Sequence, residues 1–243
     1  MTAPEASPRT GLLKRVARYD WPEIRGALDA EGAGVLPKLL SAAECAKLRG
    51  CYADARRFRS RVVMQRHGFG QGEYQYFDYP LPDVVRCLRE TIYPELVPVA
   101  NAWTASREDN HFPSTHAEFR KRCHAAGQTR PTPLLLRYGA GDYNCLHQDL
   151  YGELAFPLQL VVLLSEAGAD FDGGELVLVE QRPRMQSRAQ VVPLGQGDAV
   201  IFAVHHRPVA GKRGSYRVNL RHGVSKLHRG ERYTLGVIFH DAR

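Results

Sequence analysis

The 243-residue sequence lacks the long apolar segments that anchor or export proteins. No apolar run approaches the roughly 20 residues that are needed to span a bilayer. The first stretch, "MTAPEASPRTGLLKR", has no apolar core of the kind found in signal peptides. From these absences we expect a soluble, cytoplasmic protein with no membrane partner.

Cysteine is scarce and irregularly spaced. The five cysteines are an odd number, they include no CxxC pair, and they are too sparse for a disulfide framework. We expect reduced thiols, and Cys145 has no second cysteine nearby with which to form a zinc site. Neither G-x-x-x-x-G-K nor G-x-G-x-x-G surrounds the Gly173–Gly174 pair, which therefore indicates a turn rather than a phosphate-binding loop.

The composition of the sequence is typical of a globular protein. Hydrophobic residues make up 44% of the chain and charged residues 24%, and the length suits one large domain with a substantial core. We therefore expect a single domain over residues 1–243. The formal net charge of +7 is compatible with an anionic partner such as nucleic acid, although many basic proteins bind none.

The first part of the chain predicts mainly helices. Residues 1–10 are rich in Pro, Ser and Thr and are expected to form a mobile tail, followed by helical support over 11–130. Ser41 and Glu44 have the spacing of a capping box, which predicts a helix from about residue 42 to 57.

Two further patterns in this part indicate one helix and one strand. "PDVVRCLRETIYPELVPVANAWTA" places apolar residues at helical spacing. "GEYQYFDYP" alternates polar and aromatic residues in the manner of a half-exposed strand.

The pattern changes at Pro131, where short strand-like runs begin to alternate with turns. Regular short strands separated by Gly, Asp and Pro predict an antiparallel sandwich or barrel. The runs are "PLLLRYG", "FPLQLVVLLS", "GELVLVE", "AQVVPL", "DAVIFAV", "YRVNLRHGV" and "YTLGVIF". We expect this part, residues 131–243, to form one sheet structure that the preceding helices buttress.

The segment "LHQDLYGE" places His147 and Asp149 two residues apart. Residues i and i+2 of a strand point to the same face, so the imidazole and the carboxylate can converge on one point. Such a pair, with a third ligand and open positions, is the two-His-one-carboxylate arrangement that binds non-haem Fe(II). Because His-x-Asp is common by chance, the pair alone also fits an ordinary polar turn.

His222 is the favoured third ligand. It lies on a strand-like stretch that is followed by a polar turn, "HRGE", and a last strand that opens with Arg232 and Thr234. An arginine across such a hairpin can reach back and pair with a carboxylate through two hydrogen bonds. His205 and His206 follow the strand-like run "DAVIFAV" and compete for the third position. The strand that opens with Arg232 after His222 favours His222, and His205 and His206 are then expected to be loop residues near the mouth of the site.

The order His-x-Asp, distal His and Arg resembles the Fe(II)/2-oxoglutarate dioxygenases over roughly residues 131–243. The resemblance implies an α+β fold in which a double-stranded β-helix, a jelly-roll variant, is buttressed by N-terminal helices. It implies Fe(II) held by His147, Asp149 and His222, with 2-oxoglutarate as cosubstrate and O2 as oxidant.

Two segments are similar to the AlkB-type nucleic-acid demethylases. "RYGAGDYNCLHQD" resembles their approach to the iron motif, and "RYTL" resembles the start of their last strand. This similarity implies that Tyr138, Arg232 and Thr234 bind 2-oxoglutarate, with Arg232 on its distal carboxylate. Where those demethylases carry a second Arg six residues after the first, this chain has Ile238, so their base specificity cannot be transferred.

From about Cys123 to the C-terminus the chain resembles more closely a prokaryotic family of 2-oxoglutarate/Fe(II) oxygenases described as acting on methyl-damaged nucleic acid. "GDYNCLHQDLYGE", "EQRPRMQSR" and "TLGVIFHDA" carry this resemblance. It implies oxidative demethylation of alkylated nucleic acid, a form of DNA repair, with release of succinate, CO2 and formaldehyde.

Cations cluster in the part of the sequence that also carries the site. They form either a basic rim that follows a phosphate backbone or a solvated face with structural ion pairs, and we weigh the two equally. The residues of the predicted rim are Arg182, Arg184, Arg188, Lys212, Arg213 and Arg217. Tyr74, Tyr76 and Phe77 either stack an extruded base or belong to the core.

Two alternative functions stay open at this point. The same iron chemistry serves hydroxylases of amino acids, protein side chains or small metabolites, for which the basic rim has no role. A non-catalytic binding module of the cupin type shares the jelly roll, but the arginine ten residues after His222 then has no function. The sequence does not distinguish DNA from RNA, or a monomer from an oligomer.

Overall fold

A computed structural model describes residues 8–104, 111–149, 152–211 and 214–243. Residues 1–7 of the predicted tail lie outside these ranges, whereas residues 8–10 begin the first helix rather than belonging to a tail. The helices in the described ranges are α1 (Pro8–Val16), α2 (Trp21–Glu31), α3 (Ala42–Cys51), α4 (Asp83–Thr104) and α5 (His116–Ala125). In this part of the chain, none of them is long and apolar enough to cross a membrane.

The described ranges also contain fourteen strands, which begin well before Pro131. The first four are β1 (Ala33–Leu36), β2 (Phe58–Val63), β3 (Gly70–Gln71) and β4 (Glu73–Phe77). The others are β5 (Leu134–Gly139), β6 (Tyr143–His147), β7 (Leu158–Leu163), β8 (Phe171–Gly173), β9 (Leu176–Gln181), β10 (Arg188–Val192), β11 (Ala199–Ala203), β12 (His206–Gly211), β13 (Gly214–Val224) and β14 (Leu227–Ile238).

The strands form two antiparallel sheets. The major sheet has the order β1-β11-β7-β14-β5-β4-β2, with β8 paired to β14, and the minor sheet has the order β10-β9-β13-β6-β3, with β12 paired to β13. Leu176 and Leu178 of the minor sheet pack against Val200 and Phe202 of the major sheet, so the two sheets face each other around a shared core. This arrangement is the jelly-roll core of the expected α+β fold.

The residues before Pro131 contribute more to the sheets than the sequence pattern indicates. β1 pairs with β11 at one edge of the major sheet, and β4 with β2 extends the opposite edge from β5. β3 joins the minor sheet through β6. The segment is therefore not only helical support, because four of its short strands complete the two sheets.

The helices cover the outer face of the major sheet. On β7, Leu158, Leu160 and Val162 belong to the cluster that also contains the buried residues of α1 to α5. The alternate residues Gln159 and Val161 point toward the minor sheet and line the cavity between the two sheets. Because both faces of β7 are buried, its sequence is a nearly continuous apolar run rather than an alternating one.

The capping box predicted for α3 is confirmed, but the helix is shorter than expected. Ser41 accepts a hydrogen bond from the backbone N–H of Glu44, and the Glu44 carboxylate accepts one from the backbone N–H of Ser41. The helix ends at Cys51 instead of residue 57 because Asp54 caps a separate 3₁₀ turn, accepting a hydrogen bond from the Arg56 backbone N–H.

The connection after His222 also differs from the expected hairpin. β13 ends at Val224 in the minor sheet, and β14 begins at Leu227 in the major sheet, so the chain passes from one sheet to the other. The segment "HRGE" is part of β14 rather than a turn, because this end of the strand pairs with β8. Gly173 is the last residue of β8 and Gly174 lies between β8 and β9, and both have positive φ angles, of 74° and 65°.

A buried polar cluster fixes the C-terminus against α4 and α5. Arg89 donates to the Asp241 carboxylate at 2.8 Å and to the carbonyl oxygen of Phe239 at 2.8 Å. The Tyr79 hydroxyl donates to the other Asp241 oxygen at 2.7 Å, and His116 Nε2 lies 2.9 Å from the Phe239 carbonyl oxygen. These contacts tie the end of β14, and therefore one wall of the core, to the helical layer.

Candidate active site

Three side chains that can bind a metal converge between the two sheets. His147 is the last residue of β6, Asp149 follows it by two residues, and His222 lies opposite His147 on β13. One ligand atom from each residue lies within 4.8 Å of those of the other two. The structure thus brings together the three residues that the sequence favours as metal ligands, from β6, the segment that directly follows it, and the adjacent strand β13.

A bulge in β6 shapes this convergence. His222 pairs with His147 and Val224 pairs with Asn144, so three residue steps on β6 face two on β13. Asn144 and His147 consequently both line the cavity between the sheets. Gly223 lies in the middle of this irregular pairing, and a Cβ there would be 2.7 Å from the Asn144 carbonyl oxygen. The close approach of the two strands therefore requires glycine at this position.

The charges within this triad suit a divalent cation. Asp149 Oδ1 lies 3.5 Å from His147 Nε2, and Asp149 Oδ2 lies 3.2 Å from His222 Nε2. Burial raises the pKa of Asp149, but the hydrogen bond and charge of His222, together with His147, outweigh burial and hold that pKa well below its usual range. The carboxylate is therefore ionised at neutral pH.

His147 presents one ring nitrogen to the triad. Its Nδ1 lies 2.8 Å from the Cys145 carbonyl oxygen, to which it donates, and this leaves the lone pair on Nε2. Burial, followed by the neighbouring His222, lowers the pKa of His147, which favours the neutral imidazole that a metal binds. The local backbone thus orients the ring for metal binding.

Gln159 is a site residue that the sequence analysis missed. It lies on β7 in the facing sheet, is only 3% exposed, and its Nε2 lies 3.2 Å from His222 Nε2. Its side chain also donates to the Asp149 carboxylate. The available signal was a single amide in the otherwise apolar run "FPLQLVVLLS", because a buried polar side chain needs a partner.

The triad lies on the wall of a cavity of about 370 Å³ between the two sheets. Most of the remaining wall is apolar, and charge enters it only through the triad and one arginine in the described chain. The apolar and aromatic lining residues include Phe69, Tyr74, Leu134, Leu136, Leu146, Val161, Leu176, Val224 and Ile238. Such a cavity is suited to a small ligand that is fixed by a few polar contacts.

Arg232 supplies the cation of this cavity. The residue is 3% exposed, and its Nη1 atom is buried without a hydrogen-bond partner among the described residues. Burial lowers the pKa of Arg232 to about 10, which still leaves the guanidinium charged at neutral pH. A buried cation with an unpaired N–H is costly unless an anion joins it, so the site fits a carboxylate ligand.

Tyr138 and Thr234 accompany Arg232 in the same cavity. Tyr138 pairs with Arg232 across β5 and β14, and the guanidinium carbon lies 5.7 Å from the centroid of the tyrosine ring. The Tyr138 hydroxyl accepts from Asn144 at 3.3 Å, and burial raises its pKa to about 12, so it is a neutral donor. Thr234 is buried two residues after Arg232, on the same face of β14.

The competing histidines lie elsewhere. His205 and His206 line a separate surface pocket with Arg217 and do not line the cavity of the triad. His228 is exposed on β14, and His240 is buried with its Nδ1 accepting from the Phe156 backbone N–H at 3.1 Å.

The predicted basic rim is partly neutralised by ion pairs. Arg182 pairs with Glu180 at 2.7 Å, and Arg188 pairs with Glu31 at 2.7 Å. Arg184 and Arg217 are exposed, without an ion pair among the described residues. Lys212 and Arg213 lie outside the described residues.

Of the three aromatics considered for base stacking, only Tyr74 lines the cavity. Phe77 is fully buried and stacks on Phe58 with ring centroids 4.8 Å apart, and Tyr76 is also buried. These two side chains belong to the packing of the sheet and cannot stack a base. Ile238, which stands where AlkB-type enzymes have a second arginine, is buried and adds apolar surface to the cavity.

Comparison with protein families gives one match that spans most of the chain. The model of the Oxygenase-NA family, described as "Oxygenase, catalysing oxidative methylation of damaged DNA", matches residues 72–242. Among curated proteins, "Uncharacterized protein Rv2227" of Mycobacterium tuberculosis is 48% identical over 167 residues, which is 68% of this chain and 72% of that protein.

Solved structures share the fold at low sequence identity. A prolyl-4-hydroxylase of Pseudomonas putida is similar with a TM-score of 0.55 and 16% identity, covering 92% of this chain and 99% of that one. A prolyl hydroxylase of Trichoplax adhaerens, solved with a peptide of hypoxia inducible factor, has a TM-score of 0.58 and 13% identity, covering 98% of this chain and 94% of that one.

Proposed function

The chain belongs to the Oxygenase-NA family, and from this premise we propose that it is an Fe(II)- and 2-oxoglutarate-dependent dioxygenase that removes N-methyl groups from nucleic acid. One observation carries the cofactor part of the proposal. The unpaired buried guanidinium of Arg232 and the His-Asp-His triad line the same cavity. A metal and a dicarboxylate together satisfy both features.

The donor set supports iron rather than zinc or calcium. Two imidazoles and one carboxylate leave coordination positions open, as in the facial triads of non-haem Fe(II) enzymes. We assign His147, Asp149 and His222 as the metal ligands. When bound, Fe(II) and 2-oxoglutarate activate O2 for oxidation of a C–H bond, and 2-oxoglutarate leaves as succinate and CO2.

The residues on the opposite side of the cavity are assigned to 2-oxoglutarate. Arg232 pairs with its distal carboxylate, and the fixed fork of the guanidinium sets the direction of the cosubstrate. Tyr138 and Thr234 offer hydroxyl groups to the same carboxylate from β5 and β14. The apolar wall, which includes Ile238, excludes water from the reacting methyl group.

The family description supports damaged nucleic acid as the substrate. Hydroxylation of an N-methyl group inserts one oxygen atom of O2 into a C–H bond, while the other enters succinate. The resulting hemiaminal collapses to formaldehyde and the free N–H, so the base is restored. The net charge of +7 favours association with a polyanion, although Arg182 and Arg188 are already ion-paired.

Succinate formation tests the proposal. Wild-type protein with Fe(II) and 2-oxoglutarate is given no substrate, a plain oligonucleotide or an N-methylated oligonucleotide, and formaldehyde is measured in parallel. We expect succinate and formaldehyde to rise together only with the methylated strand. His147→Ala and Asp149→Ala are expected to abolish both products.

The outcomes separate the two parts of the proposal. Turnover that survives in both triad variants contradicts the metal assignment. If succinate forms whether or not the methylated strand is present, the iron assignment is supported and the nucleic-acid substrate is contradicted. Amino acids, proteins and metabolites are then the substrates to test. If protein prepared anaerobically retains much less than one iron per chain, the result supports a non-catalytic binding module.

A further inference from the structure

Exposed apolar side chains surround the mouth of the active-site cavity. Phe69 is 47% exposed and Leu146 is 46% exposed, and both also line the cavity. The exposed ring of His67 stacks on Phe69 with centroids 5.4 Å apart and an interplanar angle of 22°. We call His67, Phe69 and Leu146 the mouth patch.

The backbone holds Phe69 firmly although its ring faces solvent. Its N–H donates to the Met64 carbonyl oxygen at 3.2 Å, and its carbonyl oxygen accepts from the Cys145 N–H at 2.9 Å. Gly70 follows with a φ of 120°, and a Cβ there would lie 2.4 Å from the Tyr143 carbonyl oxygen. The backbone of Phe69 is thus fixed relative to β6 by the chain fold, and its ring lies at the cavity wall.

Exposing a rigid aromatic side chain beside a cavity has a free-energy cost that a binding partner offsets. Exposed apolar residues scattered singly over a surface need no explanation, whereas clustered ones at a cavity mouth indicate a contact surface. Phe69 and Leu146 line the same cavity, and the backbone N–H of Cys145, the neighbour of Leu146, donates to the Phe69 carbonyl oxygen. The contact surface is therefore continuous with the site of the reaction.

The charge around the mouth patch suits a phosphate backbone. Arg66 precedes His67, is exposed, and forms no ion pair within the described chain. The only acidic residue that lines the cavity in the described ranges is Asp149, which belongs to the metal triad. A strand whose bases contact Phe69 therefore meets no cavity-lining carboxylate other than Asp149 among the described residues, and Arg66, three residues before Phe69 in the chain, offers a cation for its phosphates.

We propose that the mouth patch stacks the unpaired bases next to the target base, so that the protein selects single-stranded over duplex nucleic acid. This inference rests on the proposed function, because it names the form of the substrate at the same site. Only an unpaired strand offers base faces to an aromatic side chain, whereas a duplex presents phosphates and groove edges. Phe69 provides the stacking surface, and Leu146 supports the neighbouring base.

A fluorescence measurement tests stacking without relying on catalysis. The native tryptophans, Trp21 and Trp103, are buried, so Phe69→Trp introduces one exposed reporter. Titration with a plain single-stranded oligonucleotide is expected to quench this reporter, and titration with the matching duplex is expected to leave it nearly unchanged. Wild-type protein titrated in the same way provides the background signal of the native tryptophans.

A kinetic comparison tests selectivity. Phe69→Ala is expected to raise KM for an N-methylated single strand by about tenfold, as for loss of one stacked base. KM for the methylated duplex is expected to change less, so the ratio of the duplex KM to the single-strand KM falls. Leu13→Ala is the matched control, because Leu13 is 44% exposed on α1 and does not line the cavity.

The outcomes of the two measurements support or contradict the inference as follows. The inference is supported if the single strand quenches the reporter and if Phe69→Ala lowers the ratio of the duplex KM to the single-strand KM. If the methylated strand is still demethylated but Phe69→Trp is not quenched, or Phe69→Ala affects both strand forms equally, the inference is wrong and the proposed function stands. If wild-type protein turns over no methylated strand, both are wrong.

Discussion

Arg232 is a buried cation with an N–H donor that lacks a partner among the described residues. A guanidinium buried between two sheets needs partners for its N–H groups, and its Nη1 has none among the described residues. Tyr138 contributes only the face of its ring. A bound carboxylate would supply the partner that the folded chain does not provide.

This environment predicts a specific effect of Arg232→Lys. The charge is retained but the bidentate contact is lost, so we expect KM for 2-oxoglutarate to rise by about tenfold or more. Arg229→Lys, on the exposed part of the same strand, is the control and is expected to keep KM near that of wild type. Steady-state kinetics with varied 2-oxoglutarate measure both values, and an unchanged KM in Arg232→Lys contradicts the assignment.

Gln159 predicts a second effect, on metal affinity. Its hydrogen bond orients the Asp149 carboxylate from the opposite sheet, and loss of such an outer contact lowers metal affinity by roughly 10- to 100-fold. Gln159→Leu is expected to show this loss in a metal titration under anaerobic conditions. Gln75→Leu removes another buried amide, which donates to the Tyr52 carbonyl oxygen. This variant is expected to be less stable but to bind the metal with unchanged affinity. Equal metal affinity in both variants contradicts the role of Gln159.

At this scale the sequence predicts which side chains converge better than it predicts their surroundings. His147, Asp149, His222 and Arg232 are chemically distinctive and recur in a recognisable order along the chain. Gln159 comes from the opposite sheet, and sheet pairing at long sequence separation is not visible in one sequence. No sequence pattern distinguishes Phe69, because exposure is a property of the folded chain.

Among the structural elements, the pairing of β6 with β13 decides the geometry of the site. The bulge places Asn144 and His147 on the same side, and Gly223 allows the two backbones to approach. Asn144 then reaches the Tyr138 hydroxyl, which links the metal side of the cavity to the arginine side. Small displacements of β6 therefore alter both halves of the site.

Gly223→Ala tests this pairing. Its Cβ would meet the Asn144 carbonyl oxygen at 2.7 Å, so β6 must shift away from β13 and carry His147 from His222. We expect weaker metal binding and a lower melting temperature. Gly26→Ala in α2, where a Cβ meets nothing within 4 Å, is the control and is expected to be neutral or stabilising by up to about 1 kcal/mol. Normal metal affinity in Gly223→Ala contradicts the argument.

The elements also show where local sequence patterns stop being informative. The Ser41–Glu44 capping box predicted the start of α3, because both partners are local. The end of that helix depended on the competing turn at Asp54, and the strand conformation of "HRGE" at the start of β14 depended on β8, which is distant in sequence. Register shifts and short edge strands such as β3 leave no periodic pattern.

For the molecule as a whole, the polar cluster at the C-terminus predicts a pH dependence of stability. Burial, followed by the charge of Arg89, lowers the pKa of His116 to about 3 from its ordinary 6.5. The unfolded chain therefore takes up a proton as pH falls below 6.5 while the folded chain does not. The contribution of His116 to the free energy of unfolding is fully present above pH 6.5. It is lost progressively as the pH falls from 6.5 to about 3.

His116→Gln is expected to remove this part of the pH dependence. Gln retains an N–H donor for the Phe239 carbonyl oxygen but does not titrate. Between pH 7 and 5 the free energy of unfolding of wild type is expected to fall by about 2 kcal/mol more than that of the variant. Urea unfolding at both pH values, with a chelator present, measures the difference, and equal losses contradict the prediction.

The fate of a methylated strand tests the central proposal most directly. An oligonucleotide with one N-methylated base is incubated with protein, Fe(II), 2-oxoglutarate and air, and its mass and the succinate formed are measured. We predict replacement of one methyl group by hydrogen per succinate with wild-type protein and none with Asp149→Ala. An unchanged strand despite consumption of 2-oxoglutarate, or equal demethylation by Asp149→Ala, contradicts the proposal.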